Sequence, residues 1–193
     1  MNPRKGPSKA ETLRDVCKAL LDDKRTHAKR IVRNVYPFHP AVPDKRRSDP
    51  GSMMRVFLRD GFIDRYSGER LVFPGIMRLL SFYMPTEFPF HPNWKMTNTH
   101  IAYWELVPTV DHIIPISRGG PDRDSNLVTT SMMKNAAKAN WTLEELGWSL
   151  HPPGDVQRWD GLMQLFIELI RNDPRLLGEP YLKKWHALAS TAP

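Results

Sequence analysis

The chain has 193 residues, 40% hydrophobic and 25% charged, enough for one domain with a sizeable core or a core plus a small appendage. Its single cysteine, Cys17, excludes an intramolecular disulfide framework and suits a reducing cytoplasm, and no apolar run approaches the roughly 18 residues of a membrane span or forms a signal core near the start. The formal charge of +7 is carried by residues 1–50, with 13 Lys and Arg against 6 Asp and Glu, beside a neutral remainder; this fits a polyanion-binding arm, the alternative being a merely solvated basic helix.

Ser8 and Glu11 form a capping-box pattern, and Leu13, Val16, Cys17, Leu20 and Leu21 then recur at helical spacing. Lys24, Arg25, Lys29, Arg30 and Arg33 extend that pattern as a basic face to about Val35, suited to tracking phosphates. Residues 36–52 hold Pro37, Pro40, Pro43 and Pro50 with Lys45, Arg46 and Arg47, and read as an extended basic linker. Residues 74–85 predict a helix with Pro74 at its start. His91 and His100 fall in a proline-aromatic region without paired ligand spacing, which favours structural roles. Residues 101–107 predict a packed strand or a helix turn, with Trp94, Tyr103 and Trp104 in the core.

Residues 108–140 carry the chemistry. Val110-Asp-His-Ile-Ile114 ends a β-rich run, a turn segment with Gly119, Gly120, Pro121, Asp122 and Asp124 follows, residues 126–130 predict a second strand, and 131–139 predict a helix. This β–loop–β–helix unit is interrupted by Asp111, His112, Asn126, Asn135 and Lys138. A carboxylate, an imidazole and an amide oxygen brought together where strand and helix cross would hold a divalent cation and leave the imidazole as a base. Beyond it, Thr142 and Glu145 form a second capping box stopped by Gly147. Trp159 to Ile170 predicts an amphipathic helix, and Tyr181 to Ala189 a last one.

DHIIPISRGG, NLVTT and KNAAK, at these spacings, resemble the HNH (ββα-metal) nuclease motif in its Asp-His, Asn, Asn form. The resemblance implies a ββα-metal nuclease core over residues 105–140; together with the elements read above, the expectation is an α+β protein in which that core and a helical cover over 141–190 lie in a domain of residues 51–193, preceded by a basic helical arm and Pro-rich linker over 1–50. It implies Asp111 and Asn135 as metal ligands, His112 as general base, Asn126 as the residue that ties the loop, and a loop backbone carbonyl accepting from the other His112 nitrogen. Lys138 would reach a phosphate or stabilise the transition state, or else is a solvated helix charge. Amide in place of the third-position imidazole shifts the expected ion toward Mg²⁺ or Mn²⁺. Lys24, Arg25, Lys29, Arg30, Arg33, Lys45, Arg46, Arg47 and Arg118 are the expected nucleic-acid contacts.

Many proteins of this family carry F-x-R-D-x-x-x-C-x-x-C-G upstream, with a second C-x-x-C completing a structural zinc site. This chain keeps Phe57, Arg59, Asp60, Tyr66 and Gly68 but puts Asp64, Ser67, Ser131 and Lys134 at the four thiolate positions, so no structural zinc is expected. Hydrophobic packing or an Asp64–Lys134 pair would have to dock the segment instead. The activity implied is metal-dependent cleavage of DNA, double-stranded in the first reading, where one site per chain requires a dimer or two encounters to cut both strands. A nickase or structure-specific nuclease is the rival within enzymes, and a catalytically silent DNA-binding protein the rival outside them.

Overall fold

The protein is described by a computed structural model over residues 8–38 and 49–191, which divides into two compact units, Met1–Ala41 and Val42–Pro193. Lys45, Arg46 and Arg47 lie outside the described residues. The class is α+β, and in the second unit helices pack around a two-stranded antiparallel sheet, the one sheet among the described residues. Among the described residues, no helix is long and apolar enough to cross a membrane.

In the first unit the expected continuous helix is a helical hairpin. Helix α1 (Lys9–Leu21) opens on the Ser8–Glu11 capping box, and α2 (Arg25–Val35) follows a turn in which Asp23 takes a φ of 56°. The break reassigns the apolar stripe. Thr12, Ala19 and Ala28 are buried, whereas Leu13, Leu20 and Leu21 are exposed.

The second unit begins earlier than the proline count suggested. Asp49 caps α3 (Pro50–Arg59) by accepting from the Ser52 N–H, and Pro50 sits in the first turn, where its missing N–H costs no bond. Helix α4 (Pro74–Tyr83) starts on Pro74 as expected, and α5 (Ala102–Leu106) settles the region before the motif as a helix turn. Strand β1 (Pro108–His112) pairs antiparallel with β2 (Leu127–Ser131), with Asp111 opposite Val128 and His112 opposite Leu127. Helix α6 (Met132–Lys138) follows at once, its N-terminus capped by Ser131 Oγ. Then come α7 (Leu143–Leu146), α8 (Met163–Asn172) and α9 (Pro180–Ser190). Helix α8 starts four residues later than the apolar spacing suggested. Gly161 and Leu162 both adopt left-handed φ, while Asp160 accepts from the Leu162 and Gln164 N–H groups. Trp159 therefore stays outside the helix and donates its indole N–H to the Leu71 carbonyl at 2.9 Å.

The main core joins α3, α4, α8 and α9 through Phe57, Phe62, Phe73, Phe166, Leu182 and Trp185, and Val110 of β1 packs against it. A second cluster places Tyr103 among Met77, Phe88, Phe90 and Trp94. His100 stacks on Phe88 at 4.3 Å and accepts from the Ala102 N–H, a structural role. Val110 thus ties one face of the sheet to the core, while the side chains of Asp111 and His112 stay 12% and 13% exposed.

The outer edge of β2 carries the docking that four thiolates would otherwise provide. The Thr129 N–H donates to Asp60 Oδ2 at 2.7 Å, the Ser131 N–H to Asp64 Oδ2 at 2.9 Å, and the Thr129 carbonyl accepts from the Arg65 N–H at 2.9 Å. Thr130 Oγ1 and the Tyr66 N–H also donate to Asp64 Oδ1. Asp60 is fully buried and paired with Arg59 and Arg65, and Arg59 donates onward to the carbonyls of Asp124 and Leu127. Charge-assisted bonds to backbone N–H groups thus close an otherwise open strand edge. The expected Asp64–Lys134 pair does not form among the described residues. Asp64 is committed to backbone and hydroxyl donors, and Lys134 Nζ lies 5.8 Å from the Trp148 ring centroid.

Candidate active site

Asp111 and His112 are the last two residues of β1, and their side chains are engaged on one side only. Asp111 Oδ2 accepts from Tyr66 Oη at 2.8 Å and from Lys138 Nζ at 2.9 Å. His112 Nε2 lies 2.9 Å from Asp122 Oδ1. Among the described residues, Asp111 Oδ1 and His112 Nδ1 make no bond. Among these residues every buried side-chain nitrogen and oxygen has a partner, so neither atom is fully enclosed. The site therefore presents one carboxylate oxygen and one imidazole nitrogen from adjacent residues.

The loop behind them is closed by Asn126. Its Oδ1 accepts from the Ile114 N–H, and its Nδ2 donates to the Ile114 and Pro121 carbonyls, each at 2.9 Å. Gly120 lies inside this tie. A Cβ there would meet the Ile114 carbonyl oxygen at 1.9 Å, so only glycine allows the approach. Gly119, at φ 85°, makes the preceding left-handed turn.

Lys138 differs from both roles considered for it. It is fully buried, and besides Asp111 it donates to the His112 carbonyl at 2.7 Å, with its ammonium 5.7 Å from the Tyr66 ring centroid. A buried ammonium held by a carboxylate and a carbonyl cannot extend to a phosphate, nor is it solvated. It ties α6 to the end of β1. The burial of Tyr66, then the Asp111 carboxylate, raises its phenol above the ordinary range, so it remains a donor to Asp111. Asn135 sits half-buried one turn before Lys138 and hence on the helix face turned to β1.

The ring partner of His112 is a carboxylate where a backbone carbonyl was expected. Asp122 read from sequence as one more polar residue of a turn, and nothing in its spacing marked it. Tyr66 was visible only as part of the upstream segment. The other expected contacts are spread out. Arg118 is ion-paired with Glu145, whose carboxyl it lowers to about 2. Lys24 and Arg25 pair with Asp22 and Asp23, while Lys29, Arg30 and Arg33 are exposed on α2 without an acidic partner among the described residues. Arg25, Lys29 and Arg33 rim an apolar groove floored by Val16, Leu20, Ala28 and Val32.

Residues 96–143, which span α5, both strands, the Asn126 loop and α6, match the family of HNH endonucleases. Over these residues the chain is similar to HNH endonucleases. No curated protein and no solved structure matches it. The HNH match covers the Asp111–His112 pair, Asn126, Asn135 and Lys138, whereas the carboxylate-clamped segment that supplies Tyr66 lies outside it. The surroundings of the HNH motif here are thus built from side chains that the family match does not reach.

The donors present fit a hard divalent cation. Asp111 Oδ1 is a carboxylate oxygen with no bond among the described residues, of the type Mg²⁺ and Mn²⁺ take, and Asn135 would add an amide oxygen of the same hard kind. Among the described residues no three His, Cys, Asp or Glu side chains cluster as ligands, so water and substrate oxygens would complete the shell. Lys138 also offsets the charge of Asp111, at 2.9 Å from its Oδ2.

Proposed function

We propose that this protein is a metal-dependent DNA endonuclease that hydrolyses phosphodiester bonds with His112 as general base. The observation that carries the reading is the His112 ring, bonded at Nε2 and open at Nδ1, beside an Asp111 carboxylate with one oxygen unengaged. An imidazole in that state can take the proton of a water as it attacks phosphorus in line with the departing oxygen. Asp111 and Asn135 would hold one Mg²⁺ or Mn²⁺, which supplies Lewis-acid stabilisation of the phosphorane and the leaving oxygen. Asn126 holds the loop so that the ring keeps its attitude, Lys138 and Tyr66 hold the Asp111 carboxylate, and neither Lys138 nor Asn126 touches substrate. Family members act on DNA, and the exposed α2 cations suit a phosphate backbone.

Supercoiled plasmid incubated with Mg²⁺, Mn²⁺, Ni²⁺, Zn²⁺ or EDTA tests this. Conversion to nicked or linear DNA with Mg²⁺ or Mn²⁺ and none with EDTA is expected. Binding in a gel shift with no cleavage under any ion would overturn the nuclease reading in favour of a silent DNA-binding protein. Nicked product that accumulates before linear product follows from one site per chain.

Asp111→Ala and Asn135→Ala should act through the ion. Each removes one oxygen ligand, so the Mg²⁺ or Mn²⁺ concentration for half-maximal cleavage should rise about tenfold or more. Calorimetry that finds unchanged Mn²⁺ affinity in both variants would remove them from the ligand set.

Neutralising Lys29, Arg30 and Arg33 together should weaken DNA binding and flatten its salt dependence by about 2.7 log–log units, at ~0.9 per phosphate contact. A slope equal to that of the parent protein would show that this face of α2 does not meet DNA.

A further inference from the structure

We infer that Asp122 is the positioning residue of the base: it fixes the proton of His112 on Nε2 and aims Nδ1 at the attacking water. The inference rests on the nuclease reading above and adds a residue to it. Asp122 Oδ1 lies 2.9 Å from His112 Nε2, and the two side chains are only 5% and 13% exposed. An ionised carboxylate offers lone pairs alone, so the ring must present Nε2–H to it and keep its own lone pair on Nδ1. That is the tautomer the base requires, because Nδ1 is the nitrogen with no bond among the described residues.

The loop geometry delivers this pair. Asn126 Nδ2 donates to the carbonyl of Pro121, the residue before Asp122, and also to that of Ile114, two residues after His112. Its backbone carbonyl accepts from the Ile113 N–H at 2.8 Å. One buried amide therefore holds both flanks of the Asp122–His112 contact. Gly120 lets the chain pass close enough to Ile114 for the turn to close. A carboxylate also differs in kind from a neutral carbonyl acceptor. It stabilises the imidazolium that exists after the proton is taken, and so lowers the cost of the step itself as well as of orientation.

The test uses the full chain with Asp122→Asn, which keeps shape, and Asp122→Ala, which removes the acceptor. An Asn amide can turn its NH₂ toward Nε2, and the ring proton must then move to Nδ1. Nitrogen–proton correlation spectra of ¹⁵N-His protein without metal, at alkaline pH where imidazole is neutral, read the tautomer directly. The expected result is Nε2–H in the parent protein and a shift to Nδ1–H or a mixture in both variants. Single-turnover plasmid cleavage should fall about 10–100-fold, with DNA affinity unchanged and Asp122→Glu recovering part of the rate. Parent-like tautomer and rate in a folded Asp122→Asn protein would overturn the assignment while leaving the nuclease reading intact. If the parent protein cuts nothing, the nuclease reading fails on its own, and the tautomer spectra still support or overturn the assignment of the proton.

Discussion

His112→Ala should lower the single-turnover rate of DNA cleavage by about 10²–10⁴, the usual worth of a positioned general base, with DNA binding within twofold of the parent. The separation follows from where the ring sits. It bonds Asp122 through Nε2 and makes no bond through Nδ1 among the described residues, so its removal takes away a proton acceptor and no DNA-facing cation. The Asn126 tie does not involve the His112 side chain, so the loop should stay closed. A variant that keeps cleavage within about tenfold of the parent rate would sink His112 as the base.

Lys138→Met should be among the most destabilising single changes near the site. The ammonium is fully buried and bonded to Asp111 Oδ2 and the His112 carbonyl. Methionine, one heavy atom shorter, fills most of the space but leaves both acceptors short of a donor, and the carboxylate without its counter-charge. Breaking a buried pair from one side typically costs about 3–5 kcal/mol. Asp111 is 12% exposed and keeps the Tyr66 hydroxyl, which places the expected loss near the lower end, about 3 kcal/mol. Urea unfolding followed by tryptophan fluorescence measures it. Asp111→Asn added to Lys138→Met should recover much of the loss, since a neutral amide no longer needs the cation. Strictly additive single and double effects would show that the two groups do not interact.

The ββα unit was legible because its signals are local. An Asp-His pair ending a β-branched run, glycines at a tight loop, and a short helix after a second strand each follow from neighbours in the chain. The same holds for the capping boxes at Ser8 and Thr142, where side-chain and backbone partners lie three residues apart. What sequence could not show were partnerships across long separations. Tyr66 meets Asp111 from 45 residues away, and Asp60 meets Thr129 from 69. Nothing in the local pattern around Asp60 or Asp64 tells a solvated turn carboxylate from one aimed at a strand edge. Lys138 was ambiguous for a related reason: a lysine at the end of a seven-residue helix reads as surface until the facing strand is placed. The late start of α8 is a third kind of miss. Apolar periodicity continued through Gly161 and Leu162, whose left-handed backbone is set by how Asp160 and the Phe62 ring pack around them.

Because β2 is anchored by Asp60 and Asp64, scaffold and chemistry answer to different agents. Oxidants that attack thiolates have no target in this unit, since the only cysteine, Cys17, belongs to the helical hairpin. A chelator would strip the ion that Asp111 and Asn135 are proposed to hold and leave the edge bonds of β2 untouched. If the proposed reading holds, cleavage should be silenced and restored through metal supply alone, with no refolding step between the two states.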